Sequence, residues 1–195
     1  QYLLTQTYQH YSFAAVFGER PLLGFYVNLS RVKTAYSLGF SVDRATAFSS
    51  IGPTYALAGR TSEAWRYIDK SIEDAEALDD RYATVRAELA HNWVAHIAGE
   101  PLKAARRQRA LLQTSADELP FHERSMAYEE LMTNLVFRGH MQEVLEVFEE
   151  WESLRSDTTD QDGAWGRPYG LVPMAASFLG KRDEAERCLE MGKRQ

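Results

Sequence analysis

The chain has 195 residues, of which 45% are hydrophobic and 26% charged, and its formal net charge is −6 at neutral pH. This composition is typical of a folded protein rather than a disordered one, and the acidic surplus argues against a nucleic-acid-binding protein. The single cysteine excludes an internal disulfide framework and favours a reducing compartment, so we expect a cytoplasmic protein. No apolar stretch is long enough to span a membrane, so no membrane partner is expected.

A glycine returns about every 40 residues along the chain. Each of these glycines ends one apolar helical pattern and is followed by a second one. The five positions are Gly18, Gly59, Gly99, Gly139 and Gly180. A fixed period of this length is typical of a helical repeat array, in which each unit buries its apolar face against its neighbours. We therefore expect an all-α protein, a superhelical solenoid of about five helix pairs, with no strand.

Apolar residues at helical spacing place one helix on each side of every turn glycine. In chain order the predicted pairs are 2–17 with 21–38, 43–58 with 61–78, 81–98 with 101–115, 122–138 with 141–155, and 164–179 with 182–192. Pro21 and Pro101 fall just inside the second helix of their pairs, where a missing N–H costs nothing. Thr61 is expected to cap the second helix of its pair through its hydroxyl.

The second unit carries the most specific pattern in the chain. It resembles a tetratricopeptide repeat (TPR) at Phe48, Ile51, Gly52, Tyr55, Gly59, Ala64 and Ile68. Gly52 and Ala64 are the small residues at which paired helices approach closely. The other units depart from the pattern, since Asn92 and Met132 stand where Gly52 stands, and the period exceeds the usual 34 residues. The resemblance implies a degenerate, TPR-like array over units of about 2–38, 43–78, 81–115, 122–155 and 164–192.

Residues 18–68 and 160–190 resemble the repeat region that follows the ATPase in large bacterial signalling proteins. Those proteins combine a STAND/AAA-type ATPase with a class III adenylate/guanylate cyclase or a protein kinase. The resemblance implies a non-catalytic interaction and sensor scaffold that regulates or assembles such a protein. Its implied partners are a protein or peptide, including other domains of the same parent chain, or a small-molecule effector. The alternatives are the ligand-sensing region of a MalT-like transcriptional regulator and a free-standing TPR adaptor.

Both ends of the chain differ from those of a complete array. The first residue is Gln1 rather than an initiator methionine, and the apolar residues Ala185 and Leu189 of the last predicted helix have no further helix to cover them. Natural repeat arrays end in units with a polar outer face. We therefore expect residues 1–195 to form a single array that is part of a longer multidomain protein.

No catalytic, cofactor-binding or metal-binding motif is predicted, so we do not expect the chain to be an enzyme. Residues 175–182 come closest to a Walker A loop, but Ala175 replaces its first glycine and Arg182 its Ser/Thr. His91 and His96 are five residues apart, whereas helical zinc motifs place their histidines four apart. An active site assembled from separate helices remains the alternative, because spacing alone does not exclude it.

Three other features have both a functional and a structural interpretation. The acidic segment 157–163 resembles a calcium loop in composition, but it lacks the glutamate that an EF-hand requires, which favours a solvated loop. Cys188 has no histidine near it in sequence, which favours a packed thiol over a nucleophile. Arg106, Arg107 and Arg109 suit a phosphate or an acidic partner, but a solvated helix face is the favoured interpretation.

The TPR resemblance also implies where a partner binds. In such arrays the first helices of successive pairs line the concave groove, and the same register selects candidate wall positions in this chain. The candidates are Tyr8, Arg86, Trp93, His96, Glu129 and Arg167, with Thr46, Ser49 and Pro53 from the second unit and Ser12, Thr133 and Met174 from the first, fourth and fifth. Tryptophan and arginine are the residues most enriched at interface hot spots, so Trp93 beside Arg86 is the leading candidate. The alternative for Trp93 is ordinary packing.

Overall fold

The computed structural model describes residues 7–8, 20–155 and 168–192. Residues 7 and 8 are helical, and the longer described ranges contain nine α-helices, one 3-10 helix at Ala116–Glu118, and no strand. The α-helices are α1 (Pro21–Tyr36), α2 (Val42–Leu57), α3 (Thr61–Leu78), α4 (Arg81–Ile97), α5 (Pro101–Ser115), α6 (Phe121–Phe137), α7 (Met141–Arg155), α8 (Pro168–Phe178) and α9 (Arg182–Gly192). The predicted all-α class is confirmed. Gly18, most of the predicted helix 2–17 and the predicted start of the helix 164–179 lie outside the described residues.

The glycines that recur about every 40 residues share one backbone conformation. Gly59, Gly99, Gly139 and Gly180 adopt φ values of 75°, 90°, 75° and 72°, the left-handed region that glycine enters at little cost. At the α2–α3 turn, the N–H of Gly59 donates to the carbonyl of Ala56 at 2.9 Å, and the N–H of Arg60 donates to that of Tyr55 at 2.9 Å. This pair of hydrogen bonds is the Schellman motif, which satisfies the last carbonyls of the first helix.

Helix starts use several devices, and one of them differs from the prediction. The α1 and α5 helices begin at Pro21 and Pro101 as expected, and Asp80 caps α4 by accepting from the N–H of Ala83 at 2.8 Å. The prediction that Thr61 caps α3 is wrong, because Thr61 is already the first helical residue and no described side chain caps this helix. The Schellman turn leaves only Arg60 between Gly59 and α3, so the capping position falls on an arginine.

Residues Gln1–Gly99 form one compact unit, called unit 1, in which α1 to α4 are described. Its centre is the crossing of α2 and α3. A Cβ added at Gly52 would lie 2.6 Å from Cδ1 of Ile68 and 3.4 Å from the carbonyl oxygen of Ala64. Ala64 and Ile68 are fully buried, and they cluster with Ala90 and Val94 of α4. The small residues of the TPR pattern therefore lie at the close helix crossing, as predicted.

Residues Glu100–Gln195 form a second compact unit, called unit 2, which contains α5 to α9. Its core includes three aromatic rings, those of Phe148, Trp151 and Tyr169, with centroids 5.6 to 5.7 Å apart. The indole N–H of Trp151 donates to the hydroxyl of Ser125 at 2.8 Å, so α7 is fixed against both α6 and α8. The expectation of one continuous array over residues 1–195 remains a prediction.

Candidate functional site

The structure brings together three of the predicted groove residues, Arg86, Trp93 and His96, on one side of α4 in unit 1. Their spacings of seven and three residues correspond to about two turns and one turn of helix. All three side chains are half-buried, whereas Ala90 and Val94, at adjoining positions around the same helix, are packed against the α2–α3 crossing. We call these three residues the α4 face.

The α4 face combines three kinds of interaction chemistry. The guanidinium of Arg86 offers several donors and a planar cation, the indole of Trp93 a large apolar surface with one donor, and the imidazole of His96 both a donor and an acceptor. Each side chain belongs to a helix that packs in unit 1, and each remains partly accessible to solvent. Such a surface suits recognition of a peptide or protein better than proton or group transfer, which requires convergent groups at hydrogen-bonding distance.

The remaining predicted site residues are not part of this face. Glu129 lies on α6 in unit 2 and is half-buried, and its carbonyl accepts from the Thr133 hydroxyl at 2.8 Å. Tyr8 is half-buried within the short described segment 7–8. Arg167 lies outside the described residues. A role for these three residues in binding therefore remains a prediction.

The expectation that Thr46 and Ser49 line an open groove is wrong. Both side chains are buried. The hydroxyl of Ser49 donates to the carbonyl of Thr46 within α2 at 2.9 Å, and Thr46 itself contacts Arg31 of α1. The buried guanidinium of Arg31 donates to the carbonyl and hydroxyl oxygens of Thr46, at 3.3 and 2.9 Å, and to the hydroxyl of Ser50 at 2.7 Å. Thr46 and Ser50 of α2 therefore satisfy a buried arginine rather than a ligand. Pro53 is half-buried.

Sequence reasoning missed a row of aromatic rings on unit 1, where α1, α2 and α3 meet. Tyr36 contacts Phe48 at 5.2 Å between centroids, Phe48 contacts Tyr67 at 5.8 Å, and Tyr67 stacks on Tyr55 at 5.4 Å. The ammonium of Lys70 lies 5.6 Å from the Tyr36 ring and donates to its hydroxyl at 3.1 Å. Burial raises the pKa of the Tyr67 hydroxyl above its ordinary value. The aromatic residues were visible in the sequence, but only the tertiary fold places them in one row.

An arginine at one end of this row joins α2 to α3. The guanidinium of Arg44 donates to both carboxylate oxygens of Asp74, at 2.6 and 2.7 Å, and lies 4.1 Å from the ring centroid of Phe40. The hydrogen bond to Asp74 raises the pKa of the Arg44 guanidinium above its ordinary value, and the carboxylate charge adds to this shift. These contacts already occupy the guanidinium, so Arg44 serves the fold of unit 1.

The contacts of Arg109, Cys188 and His91 favour structural roles for these three residues. Arg109 lies 3.6 Å from the carboxylate of Glu143 and 3.7 Å from that of Glu150, both on α7, so this part of the basic run joins helices within unit 2. Burial raises the pKa of the Cys188 thiol, the opposite of what a nucleophilic cysteine requires. His91 packs against Trp65 with ring centroids 4.9 Å apart. Within the described ranges, no three His, Cys, Asp or Glu side chains converge as metal ligands.

Comparison with known proteins identifies the fold. No protein-family model matches the chain, and no curated protein matches it in sequence. It is similar to the crystal structure of a kinesin light chain-like protein from Podosopora anserina with nearly identical TPR-like repeats, with a TM-score of 0.64 and 13% identity over 97% of this chain and 93% of that one. A single-substitution variant of that protein matches with a TM-score of 0.65 and 14% identity over 97% and 92% of the two chains.

The fold is a TPR-like helical repeat. At 13% to 14% identity, the likeness shows the architecture and leaves the binding partners open. The close packing of Gly52, Ala64 and Ile68 at the α2–α3 crossing agrees with this architecture. Among the described helices, none is both long enough and apolar enough to cross a membrane.

Proposed function

We propose that this chain is a non-catalytic scaffold that binds a protein or peptide through the α4 face. The observation that carries the proposal is the partial exposure of Arg86, Trp93 and His96 on a helix that is packed in the core of unit 1 through Ala90 and Val94. Arginine and tryptophan at the centre of an interface commonly dominate its binding energy, because both combine large contact area with directed hydrogen bonds.

We further propose that the scaffold regulates or assembles a larger cytoplasmic signalling protein, an ATPase linked to a nucleotide cyclase or a protein kinase. The resemblance of residues 18–68 and 160–190 to the repeat regions of such proteins supports this role. A MalT-like sensor region and a free-standing adaptor are the alternatives. Reading the parent coding sequence outward separates them. A P-loop ATPase with a cyclase or kinase supports the proposal, a DNA-binding domain supports the MalT-like sensor, and nearby stop codons at both ends support the adaptor.

Binding through the α4 face is tested by affinity capture with quantitative mass spectrometry. The chain is compared with Arg86→Ala and Trp93→Ala, and Glu73→Ala, an exposed position on α3, is the matched control. A protein captured by the chain and by the control should be depleted at least about ten-fold with either α4-face variant, as expected for hot-spot residues. Circular dichroism confirms that Trp93→Ala remains folded.

Two results would contradict the proposed function. Equal capture by all four proteins would show that the α4 face is not the binding surface. Turnover of a nucleotide by the purified chain that is abolished by Arg86→Ala would favour an enzyme instead, with an active site assembled from separate helices.

A further inference from the structure

The recurring glycine defines equivalent positions in the second helices of the five pairs. The fourth residue after it is Leu22 in α1, and this side chain is 83% exposed. At the same place α3, α5, α7 and α9 carry Glu63, Lys103, Glu143 and Glu184. The α1 helix therefore exposes an apolar side chain at a position where each of the other second helices carries a charge.

The exposed apolar character continues along the same side of α1. Tyr26 and Tyr36 are 67% and 48% exposed, and the exposed Lys33 lies between them. Successive spacings of four, seven and three residues from Leu22 to Tyr36 bring these four side chains to one side of the helix. The helix itself is fixed, because other positions of α1 pack on α2.

The α3 helix borders this side of α1. Both helices pack on α2, and Lys70 of α3 reaches α1, where its ammonium donates to the Tyr36 hydroxyl at 3.1 Å. Arg66, one turn before Lys70, is exposed, and its guanidinium lies 5.4 Å from the ring centroid of Tyr67. We call six of these residues the α1–α3 surface, namely Leu22, Tyr26, Lys33, Tyr36, Arg66 and Lys70.

The exposure of this surface is not the result of a missing neighbour on the C-terminal side. A second helix in such an array is covered by its own first helix and by the pair that follows it. For α1 the following pair is α2 and α3, which are both in place. The exposed side of α1 is therefore a surface of the assembled repeats of unit 1.

The α1 side of this surface is basic. Residues 20–42 contain three basic residues and no acidic one, although the whole chain has a net charge of −6. One of the three, Arg31, is buried, whereas Arg20 and Lys33 are exposed near the two ends of the apolar stripe. Neither Arg20 nor Lys33 forms an ion pair within the described part of the chain. Lys33 is therefore available to an acidic partner.

The α3 edge carries charges of both signs. Glu63 and Asp74 each bind an arginine already, Arg60 and Arg44 respectively, and they do not neutralise the surface further. The exposed Asp69 and Glu73, each three residues after a basic residue of the surface, reduce the positive charge of this edge. No ion pair within the described ranges joins them to those basic residues. The positive charge is therefore strongest around Lys33 and Tyr36, where α1 and α3 meet.

We infer that the α1–α3 surface binds an acidic segment of a partner protein that also carries large apolar side chains. The apolar side chains cover Leu22 and Tyr26, and the carboxylates pair with Lys33 and Lys70 on either side of Tyr36. The Tyr36 hydroxyl already orients the Lys70 ammonium, so less side-chain freedom is lost on binding. None of these residues belongs to the α4 face, so the inference does not depend on the proposed function.

A short acidic segment fits this surface better than an extended polyanion does. Nucleic acid or an anionic lipid surface would also face Asp69, Glu73 and Glu76, which are exposed on α3, and the negative charge of the chain as a whole. A peptide with a few carboxylates needs only the basic groups beside Tyr36.

The inference is tested with a phage-displayed library of random peptides selected on the full chain. Enriched peptides are synthesised, and their affinities are measured by fluorescence anisotropy. We expect acidic peptides with large apolar residues, whose affinity falls at least about ten-fold with the double variant Lys33→Glu/Arg66→Glu. The matched control Arg106→Glu/Arg138→Glu makes the same change in net charge at exposed positions of unit 2 and should leave the affinity within about two-fold.

The apolar part of the surface has its own variant. Leu22→Ser should weaken the same peptides about ten-fold, because the burial of a leucine side chain on binding is lost. Leu189→Ser, at a half-exposed leucine of α9, is the control and should leave the affinity unchanged. Leu22 and Lys33 are exposed, so the variants should remain folded, and circular dichroism checks this.

Three outcomes would overturn the inference. One is a selection that yields no acidic peptide, and another is a set of acidic peptides that bind the chain and Lys33→Glu/Arg66→Glu equally well. The third is binding of a single-stranded oligonucleotide or of phosphatidylserine vesicles that this variant abolishes, without binding of acidic peptides. This last result would assign the surface to a polyanion.

Discussion

The α2–α3 pair of unit 1 and the α8–α9 pair of unit 2 share one turn but differ in what surrounds their second helix. In both pairs a left-handed glycine, Gly59 or Gly180, ends the first helix with the same two backbone hydrogen bonds. Ile68 in α3 is nevertheless fully buried, whereas Leu189 at the same place in α9 is half exposed. Turn geometry is therefore encoded locally, and burial depends on whether a following helix packs against the pair.

The largest expected difference between the pairs lies at Ile68 and Leu189, each nine residues after its turn glycine. Ile68→Ala should lower the free energy of unfolding by about 2–5 kcal/mol, because it leaves a cavity in a packed core. Leu189→Ala should lower it by about 1 kcal/mol or less, because much of that side chain is already in water. Urea denaturation followed by circular dichroism measures both values. Equal losses would contradict the difference in burial between the two positions.

The helix crossing in unit 1 offers the next test. Ala64 is fully buried, and its carbonyl oxygen would lie 3.4 Å from a Cβ at Gly52. Ala64→Leu should therefore overpack the crossing and cost about 1–3 kcal/mol. Ala77→Leu, at an exposed alanine of the same helix, is the control and should change stability by about 0.5 kcal/mol or less. An unchanged denaturation midpoint for Ala64→Leu would show that the repeat register is wrong.

Because the two pairs share the same turn, replacing its glycine should lower the folding stability equally in both. No described atom lies within 4 Å of a Cβ built on Gly59 or Gly180, so only the left-handed backbone opposes a side chain there. Gly59→Ala and Gly180→Ala should each cost about 1–2 kcal/mol of folding free energy. Thermal or urea denaturation of the two variants compares them directly. A large loss at one turn and none at the other would show that the turns are not the same structure.

The smallest effect concerns the reactivity of two adjacent positions on α9. Cys188 is fully buried, and burial raises the pKa of its thiol, so it should react slowly with a thiol reagent at neutral pH. A cysteine introduced as Leu189→Cys in a Cys188→Ala background should react much faster, because that position is half exposed. Comparable rates, measured with the same reagent in the folded proteins, would contradict the one-sided burial of α9.

Much of the fold could be predicted because its signals are local. A glycine that ends the first helix of a pair and a proline at a helix start depend only on neighbouring backbone geometry. The glycines at 59, 99, 139 and 180 and the prolines at 21 and 101 were found where the sequence placed them. The small residues Gly52 and Ala64 were also assigned correctly, because a close helix crossing tolerates little else.

The errors concern positions whose environment is set by distant residues. Thr46 and Ser49 follow the register of an open groove, but Arg31, about 15 residues earlier in the chain, buries Thr46 by donating to it. Ala185 was expected to be uncovered, but it lies on the side of its helix that faces α8, and it is buried. Thr61 is a residue type that commonly caps helices, but it is the first residue inside the helix rather than the capping residue before it. A periodic sequence pattern identifies helix faces without showing which contacts each face receives.

The most direct test of the proposed scaffold function is photo-cross-linking from the α4 face in the parent protein at its native expression level. A photoreactive phenylalanine analogue replaces Trp93, and the control replaces Glu76, an exposed residue of α3. We expect a protein cross-link from position 93 that is absent from position 76 and that Arg86→Glu abolishes. Identical cross-linking from both positions, or a cross-link unaffected by Arg86→Glu, would contradict the assignment of the α4 face as the binding surface.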